Sequence, residues 1–274
     1  MAHPRGPHPV HSHGPQLARL LELDAEIHSG VLAEAVSLVS GMSGGPDAVR
    51  RVLDVGAGTG TGSVALARRF TSAEVVAVDV DERMLERVRD RAAASGLGDR
   101  IVPAHVDIAA AAPAIGLADV VWSSSALHEV GDPDQAFRNL FEALRPGGVL
   151  AVLEMDAPPL VLPKRYVDLE ERVRSAGAVN SADHPDWTSA IEAAGFEVPR
   201  TRRMATDLVL AADGPAGEYA ALELRRVGHA AMPALPESDR TALLALAGEG
   251  AGGVRTLGQV WIRGTRTLWT ARRP

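Results

Sequence analysis

The chain has 274 residues, 46% hydrophobic and 23% charged, ample for one large α/β domain. A net charge of −7 and 4% aromatic residues exclude the basic, stacking surface of a typical nucleic-acid binder. Cysteine is absent, which removes disulfides, thiolate metal sites and cysteine nucleophiles, and no apolar run approaches the roughly 18 residues of a membrane span.

Residues 1–16 hold His3, His8, His11 and His13 among four prolines and read as a flexible leader. No other ligand cluster accompanies those histidines, so no metal site is predicted. The stretch also lacks the apolar centre of a secretory signal, and a cytoplasmic location is expected. From Leu17 to Val39 the apolar residues recur at helical spacing (Leu17, Leu20, Leu21, Ile27, Val31, Leu32, Ala35, Val36), predicting one amphipathic helix in a cap over 17–45.

Strands and helices then alternate. RRVLDVG, AEVVAVDV, RIVPAHVD, ADVVWSS and VLAVLEM read as strands; GSVALARRF, ERMLERVRDRAAASG and DPDQAFRNLFEALRPGG read as helices between them. Such short, apolar, β-branched strands belong where helices cover both faces of a parallel, doubly wound sheet. Asp81 and Asp132 precede helices as N-caps, the second with Pro133 at the first helical position. Beyond residue 155, KRYVDLEERVRSAG, HPDWTSAIEAAG and much of 216–249 look helical. FEVPRTRRMATDLVLA and VWIRGTRTLWTARR look like two late strands completing the sheet. The expected organisation is a single domain over 17–274, with a core at 50–155 and substrate-side elements at 156–274.

RVLDVGAGTGTG (51–62) demands a ligand close to the backbone. A phosphate loop needs a lysine after its last glycine, yet the one lysine of the chain is Lys164. A dinucleotide turn needs a third glycine where Thr61 or Ser63 stands. What is present is an acid at the end of a strand followed by alternate glycines, Asp54 to Gly60. LDVGAGTG, followed in order by VVAVDVDERML, PAHVDI and the stretch from ADVVWSS through LRPGG to VLAVLEM, resembles the class I S-adenosylmethionine-dependent methyltransferases, most of all the small-molecule enzymes of the ubiquinone/menaquinone-biosynthesis type.

The resemblance covers residues 50–155 and implies a Rossmann-like, mostly parallel seven-stranded sheet with an antiparallel last strand and helices capping the active-site end. It also implies S-adenosyl-L-methionine as cofactor. Gly56, Gly58 and Gly60, with Ala57 and Thr59 between them, would let the backbone approach the methionine and ribose moieties. Asp54 would anchor the ammonium end, and Asp79, followed by Val80, the ribose hydroxyls. Asp107 and Ile108 would meet the adenine, and Ser123 would lie near the sulfonium.

His128 in SSSALHEV is the candidate base or substrate contact, or else a histidine that only hydrogen-bonds a neighbouring loop. Glu154 and Asp156 could line the acceptor pocket or face water, Glu129 is expected in solvent and Trp122 in the core. His28, Tyr166, His184, Trp187, Tyr219 and His229 lie in segments that could roof the site, each expected to be structural when taken singly. The partner implied is a small-molecule acceptor, without nucleic acid or a membrane span, and a homodimer is compatible with the sequence. Two alternatives stay open: a cofactor-binding module that does not transfer methyl groups, and an NAD(P)-dependent oxidoreductase.

Overall fold

A computed structural model describes residues 15–110, 116–177 and 186–274. Seven strands form one sheet in the order β3-β2-β1-β4-β5-β7-β6. They are β1 (Arg51–Val55), β2 (Glu74–Asp79), β3 (Ile101–His105), β4 (Ala118–Ser124), β5 (Leu144–Met155), β6 (Arg200–Ala211) and β7 (Gln259–Arg272). β1 to β5 pair in parallel, and β7 runs antiparallel to both β5 and β6. The expected architecture, with its last strand reversed, is the one observed. The RPGG turn lies inside the irregular start of β5, where the register with β4 shifts between Ala118 and Val120.

Both faces of the sheet are covered. On one, Val52, Val120 and Ala151 pack with helices α2 (Ser29–Met42), α3 (Thr61–Arg69) and α4 (Glu82–Ala94). On the other, Leu53, Val121 and Val152 pack with α5 (Pro133–Ala143) and α7 (Thr188–Ala193). Burial on both sides explains why these strands are apolar throughout and do not alternate with polar residues. A third cluster joins α1 (Pro15–Ile27), α6 (Val167–Ala176), α8 (Pro215–Ala231) and α9 (Glu237–Ala247) beside β7.

Local chemistry sets the helix starts. Asp81 accepts from Arg83 N, and Asp132 accepts from Gln135 N ahead of Pro133, as their sequence positions indicate. The predicted single helix over Leu17–Val39 is instead two, meeting at His28 (φ −94°, ψ 18°). The break lets α1 follow α8, to which Arg19 is tied by paired bonds to Glu218 of 2.8 and 2.7 Å, while α2 stays on the sheet. The histidine leader lies almost entirely outside the described residues, as does His184.

Candidate active site

The strand order reverses between β1 and β4, and in such sheets ligands bind beyond the carboxyl ends at that point. The glycine run sits there. Gly56 N and Ala57 N both donate to Val78 O, at 2.9 and 3.0 Å, turning the chain back over β2. Gly56, Gly58 and Gly60 have φ of +69°, +52° and +81°. At Gly56 the requirement is also steric, since a Cβ would stand 2.2 Å from the Cβ of Ala126. Asp79 clamps this loop: one carboxylate oxygen accepts from Gly58 N and the other from Asp81 N, each at 2.9 Å. Arg91 Nε holds the far side through Thr59 O at 2.8 Å.

Beneath the loop Asp54 is buried, and Ser63 Oγ donates to its Oδ2 at 2.5 Å. Burial pushes its carboxyl up to about 7; Ser63 opposes the rise and the nearby charge of Asp79 adds to it. A buried acid so raised calls for a cation. Next to it, Trp122 Nε1 and Thr61 Oγ1 are buried without hydrogen-bond partners.

These groups share a cavity of about 120 Å³. Asp54, Gly56, Gly58, Thr61, Trp122 and Ser124 line it on the glycine-loop side, and Asp24, His28, Val31, Leu32, Leu153 and Arg266 on the side of α1, α2 and the strands β5 and β7. The donor set suits an amino-acid nucleoside. It offers a carboxylate in want of an ammonium, two unpaired donors beside it, and a backbone cradle that side chains would fill.

Several predicted residues fall elsewhere. Asp79 ends β2 with Val80 just after it, and Asp107 and Ile108 follow the adjacent strand β3, all four outside the lining of this cavity. Val80 is an exposed apolar side chain, Asp107 accepts from Ala109 N at 2.8 Å, and Ile108 is buried in the core. Ser123 requires a correction. It is in register with Val55 and shares that residue's face, whereas Asp54 is in register with Trp122. Strand alternation therefore turns Ser123 away from the cavity, and Ser124 and Ser125 line it instead. Ser125, at φ +53°, is the one non-glycine residue with positive φ among those described. Its hydroxyl too is buried and unpaired.

His128, read as a base or substrate contact or else a histidine bonded to its neighbours, is held between carboxylates. It sits in a short 3₁₀ turn, Leu127–Glu129, with Nδ1 2.9 Å from Glu154 Oε2 and Nε2 3.5 Å from Glu129 Oε1. Burial disfavours its charge, but hydrogen bonding and attraction to Glu129 and Glu154 prevail and raise the imidazole to about 10. At neutral pH it is an imidazolium, already carrying the proton a base would have to accept. Glu154, 2% exposed, faces neither water nor the cavity: it also accepts from Ala126 N and Leu127 N, fixing the turn after β4. Glu129 is exposed, as expected, and Trp122 is buried but also lines the cavity.

Sequence reasoning missed Asp24 and Arg266 and undervalued His28. Arg266 Nη2 lies 2.7 Å from both oxygens of Asp24, and Tyr219 donates to the same carboxylate at 2.9 Å. Of the remaining roof candidates, Trp187 is core and His229 is exposed.

A Rossmann-like sheet with a glycine cradle and a buried acid at its switch point defines a nucleoside-cofactor enzyme. Comparison with known proteins narrows that class. Residues 52–148 match the model of a methyltransferase domain. The chain is 32% identical over 196 residues to a demethylmenaquinone methyltransferase of Clavibacter sepedonicus, covering 64% of this chain and 78% of that one. It is 39% identical over 107 residues to a trans-aconitate 2-methyltransferase of Variovorax paradoxus, spanning 39% of each. A methyltransferase structure from Geobacter sulfurreducens shares the fold, with a TM-score of 0.50 at 20% identity over 87% of this chain and 91% of that one. The chain belongs to the S-adenosylmethionine-dependent methyltransferases, and S-adenosylmethionine is its cofactor.

Proposed function

We propose that the enzyme methylates a small organic acceptor held between the glycine loop and the wall built by α1, α2 and β7. One observation supports this above the others: the groups left unpaired at Thr61, Trp122, Ser125 and His28 all belong to residues lining the same cavity. Their convergence fits a cofactor at one end and a compact second ligand at the other. An acidic chain offers no footprint for a nucleic-acid substrate.

When bound, the cofactor supplies an electrophilic methyl group and a thioether leaving group. Asp54 would hold the ammonium end, the loop from Gly56 to Gly60 would receive the methionine and ribose, and Asp79, Val80, Asp107 and Ile108 would serve the ribose and adenine. The chain's main contribution is then orientation, worth about 7–11 kcal/mol of barrier in favourable cases. α1 closes over the loop, with Glu22 bridging to Arg87 and Arg91 of α4 at 3.2 and 3.4 Å. This division assigns 50–155 to the cofactor and 17–45 with 156–274 to the acceptor, in a cytoplasmic enzyme.

Calorimetric titration with S-adenosylmethionine, S-adenosylhomocysteine and NADH tests the reading. Micromolar binding of the first two, weakened in Asp79→Ala and absent for NADH, is the expected result. A folded protein that binds neither sulfur ligand would overturn it.

A further inference from the structure

We propose that Arg266 selects the acceptor: it binds a neutral carbonyl oxygen, while Asp24 locks the guanidinium and cancels its charge. The proposal rests on the methyl-transfer reading and names the acceptor chemistry of that same site.

Arg266 enters the cavity from the sheet. Asp54, Trp122 and Ala151 stand in register across β1, β4 and β5, and Leu153 stands in register with Leu268 of β7. Arg266 is two residues from Leu268, so strand alternation gives it this same face, and it lines the cavity with Trp122 and Leu153. Its strand lies three strand spacings, or about 14 Å, from β1, which carries Asp54 and leads into the glycine loop. The cofactor takes that side, and the arginine belongs to the acceptor end.

The side chain is firmly held but only partly engaged. Arg266 is 7% exposed. Its Nη2 donates to both oxygens of Asp24 at 2.7 Å, and Tyr219 donates to the same carboxylate at 2.9 Å. Nε and Nη1 form no hydrogen bond among the described residues, and neither is shut off from solvent as the unpaired atoms of Thr61 and Trp122 are. Their N–H groups are donors without an acceptor, on a residue that lines the cavity.

Charge decides which acceptor suits them. Burial disfavours the guanidinium charge, but attraction and hydrogen bonding to Asp24 prevail and keep it protonated. At neutral pH Arg266 is the one cation among the described residues lining the cavity, since burial lowers His28 to about 4. Asp24 cancels that charge at contact, and Glu154 adds a further negative field. A carboxylate would lose its hydration and set a second anion against a guanidinium already paired. A carbonyl oxygen gives up far less hydration and still accepts from a charged donor. Leu21, Ala25, Val31 and Leu32 offer apolar walls to the rest of the molecule.

The test uses the full chain loaded with S-adenosylhomocysteine and three probes of similar shape, compared by calorimetry at pH 7. Acetophenone carries a neutral carbonyl, benzoate a charge, and ethylbenzene no acceptor atom. The wild type is expected to bind acetophenone about tenfold more tightly than either of the others. Arg266→Met is expected to lower acetophenone to the level of ethylbenzene. Asp24→Asn still offers an oxygen to Arg266 and Tyr219 but leaves the guanidinium charge uncancelled, so benzoate is expected to gain at least tenfold, a change that a purely structural ion pair would not produce. The wild-type ranking and Asp24→Asn decide the matter if Arg266→Met does not fold. Wild-type preference for benzoate, equal binding of the three probes, or no probe binding would each overturn the proposal. So would an unmoved benzoate affinity in Asp24→Asn, or an acetophenone preference that survives in Arg266→Met. Loss of S-adenosylhomocysteine affinity in Arg266→Met would place the arginine on the cofactor and overturn it too. Failure of the wild type to bind S-adenosylhomocysteine would overturn the methyl-transfer reading itself, and so is a separate result.

Discussion

Asp54 carries the sharpest energetic consequence of the site. Its carboxyl rises from 3.8 to about 7 on folding, chiefly through burial. A raised acid contributes stability that is complete below its unfolded pKa and is lost as pH climbs through the folded one. At about 1.4 kcal/mol per pH unit the rise corresponds to about 4 kcal/mol of destabilisation at pH 8. Asp54→Asn keeps an acceptor for Ser63 Oγ and removes the charge, so the ligand-free variant is expected to be more stable than wild type at pH 8. At about 2–4 °C per kcal/mol for a chain of this size, the gain in Tm is up to roughly 8–16 °C. The gain is expected to shrink by more than half at pH 5 as both forms become neutral. Cofactor binding reverses the balance, because an ammonium beside Asp54 stabilises the carboxylate and the variant loses that partner. Thermal melts across pH 5–8, with and without S-adenosylmethionine, measure both effects. A variant no more stable than wild type at pH 8, or a gap that does not change with pH, would refute the assignment of a strained, cation-seeking carboxylate.

Gly56→Ala forces a Cβ into Ala126 at positive φ, with an expected cost of about 1–3 kcal/mol in denaturant melts; adding Ala126→Gly is expected to recover the steric part alone. Asp79→Asn is expected to loosen the loop and weaken cofactor binding in calorimetry at least tenfold, by removing the charged acceptor of Gly58 N and Asp81 N. His128, raised from 6.5 to about 10, contributes stability that is present below pH 6.5 and lost as pH rises through 10. His128→Gln is expected to flatten that alkaline decline in pH-dependent unfolding. Glu154→Gln is expected to pull the imidazole pKa of His128 downward in NMR titration, because the carboxylate 2.9 Å from Nδ1 loses its charge.

What was legible in the sequence is what local forces decide. The strands announce themselves because both their faces are buried, the alternate glycines because Gly56, Gly58 and Gly60 all need positive φ, and the N-caps because Asp81 and Asp132 satisfy amides only two or three residues away. Misplacing Ser123 was a matter of parity. Which face of β4 meets the cavity is fixed by the pairing of Trp122 with Asp54, 68 positions apart, and a shift of one residue exchanges the faces. The break at His28 is marked locally by the Ser29–Gly30 pair alone, a weak signal inside an otherwise helical pattern, and it follows from α1 and α2 packing on different partners.

The two histidines carry this argument to the chemistry. His128 drew attention by standing just past a strand end, where catalytic groups gather, yet its proton state is set by Glu154, which lies across the sheet's next strand. His28 stood in an ordinary amphipathic helix, and its neutrality comes from burial against residues as distant as Thr206, Tyr219 and Arg266. Position along the chain indicates where polar groups gather. Whether a histidine there is charged depends on which charges the fold brings beside it and how deeply it is buried, and here these separate an imidazole raised to about 10 after β4 from one lowered to about 4 at the α1–α2 junction.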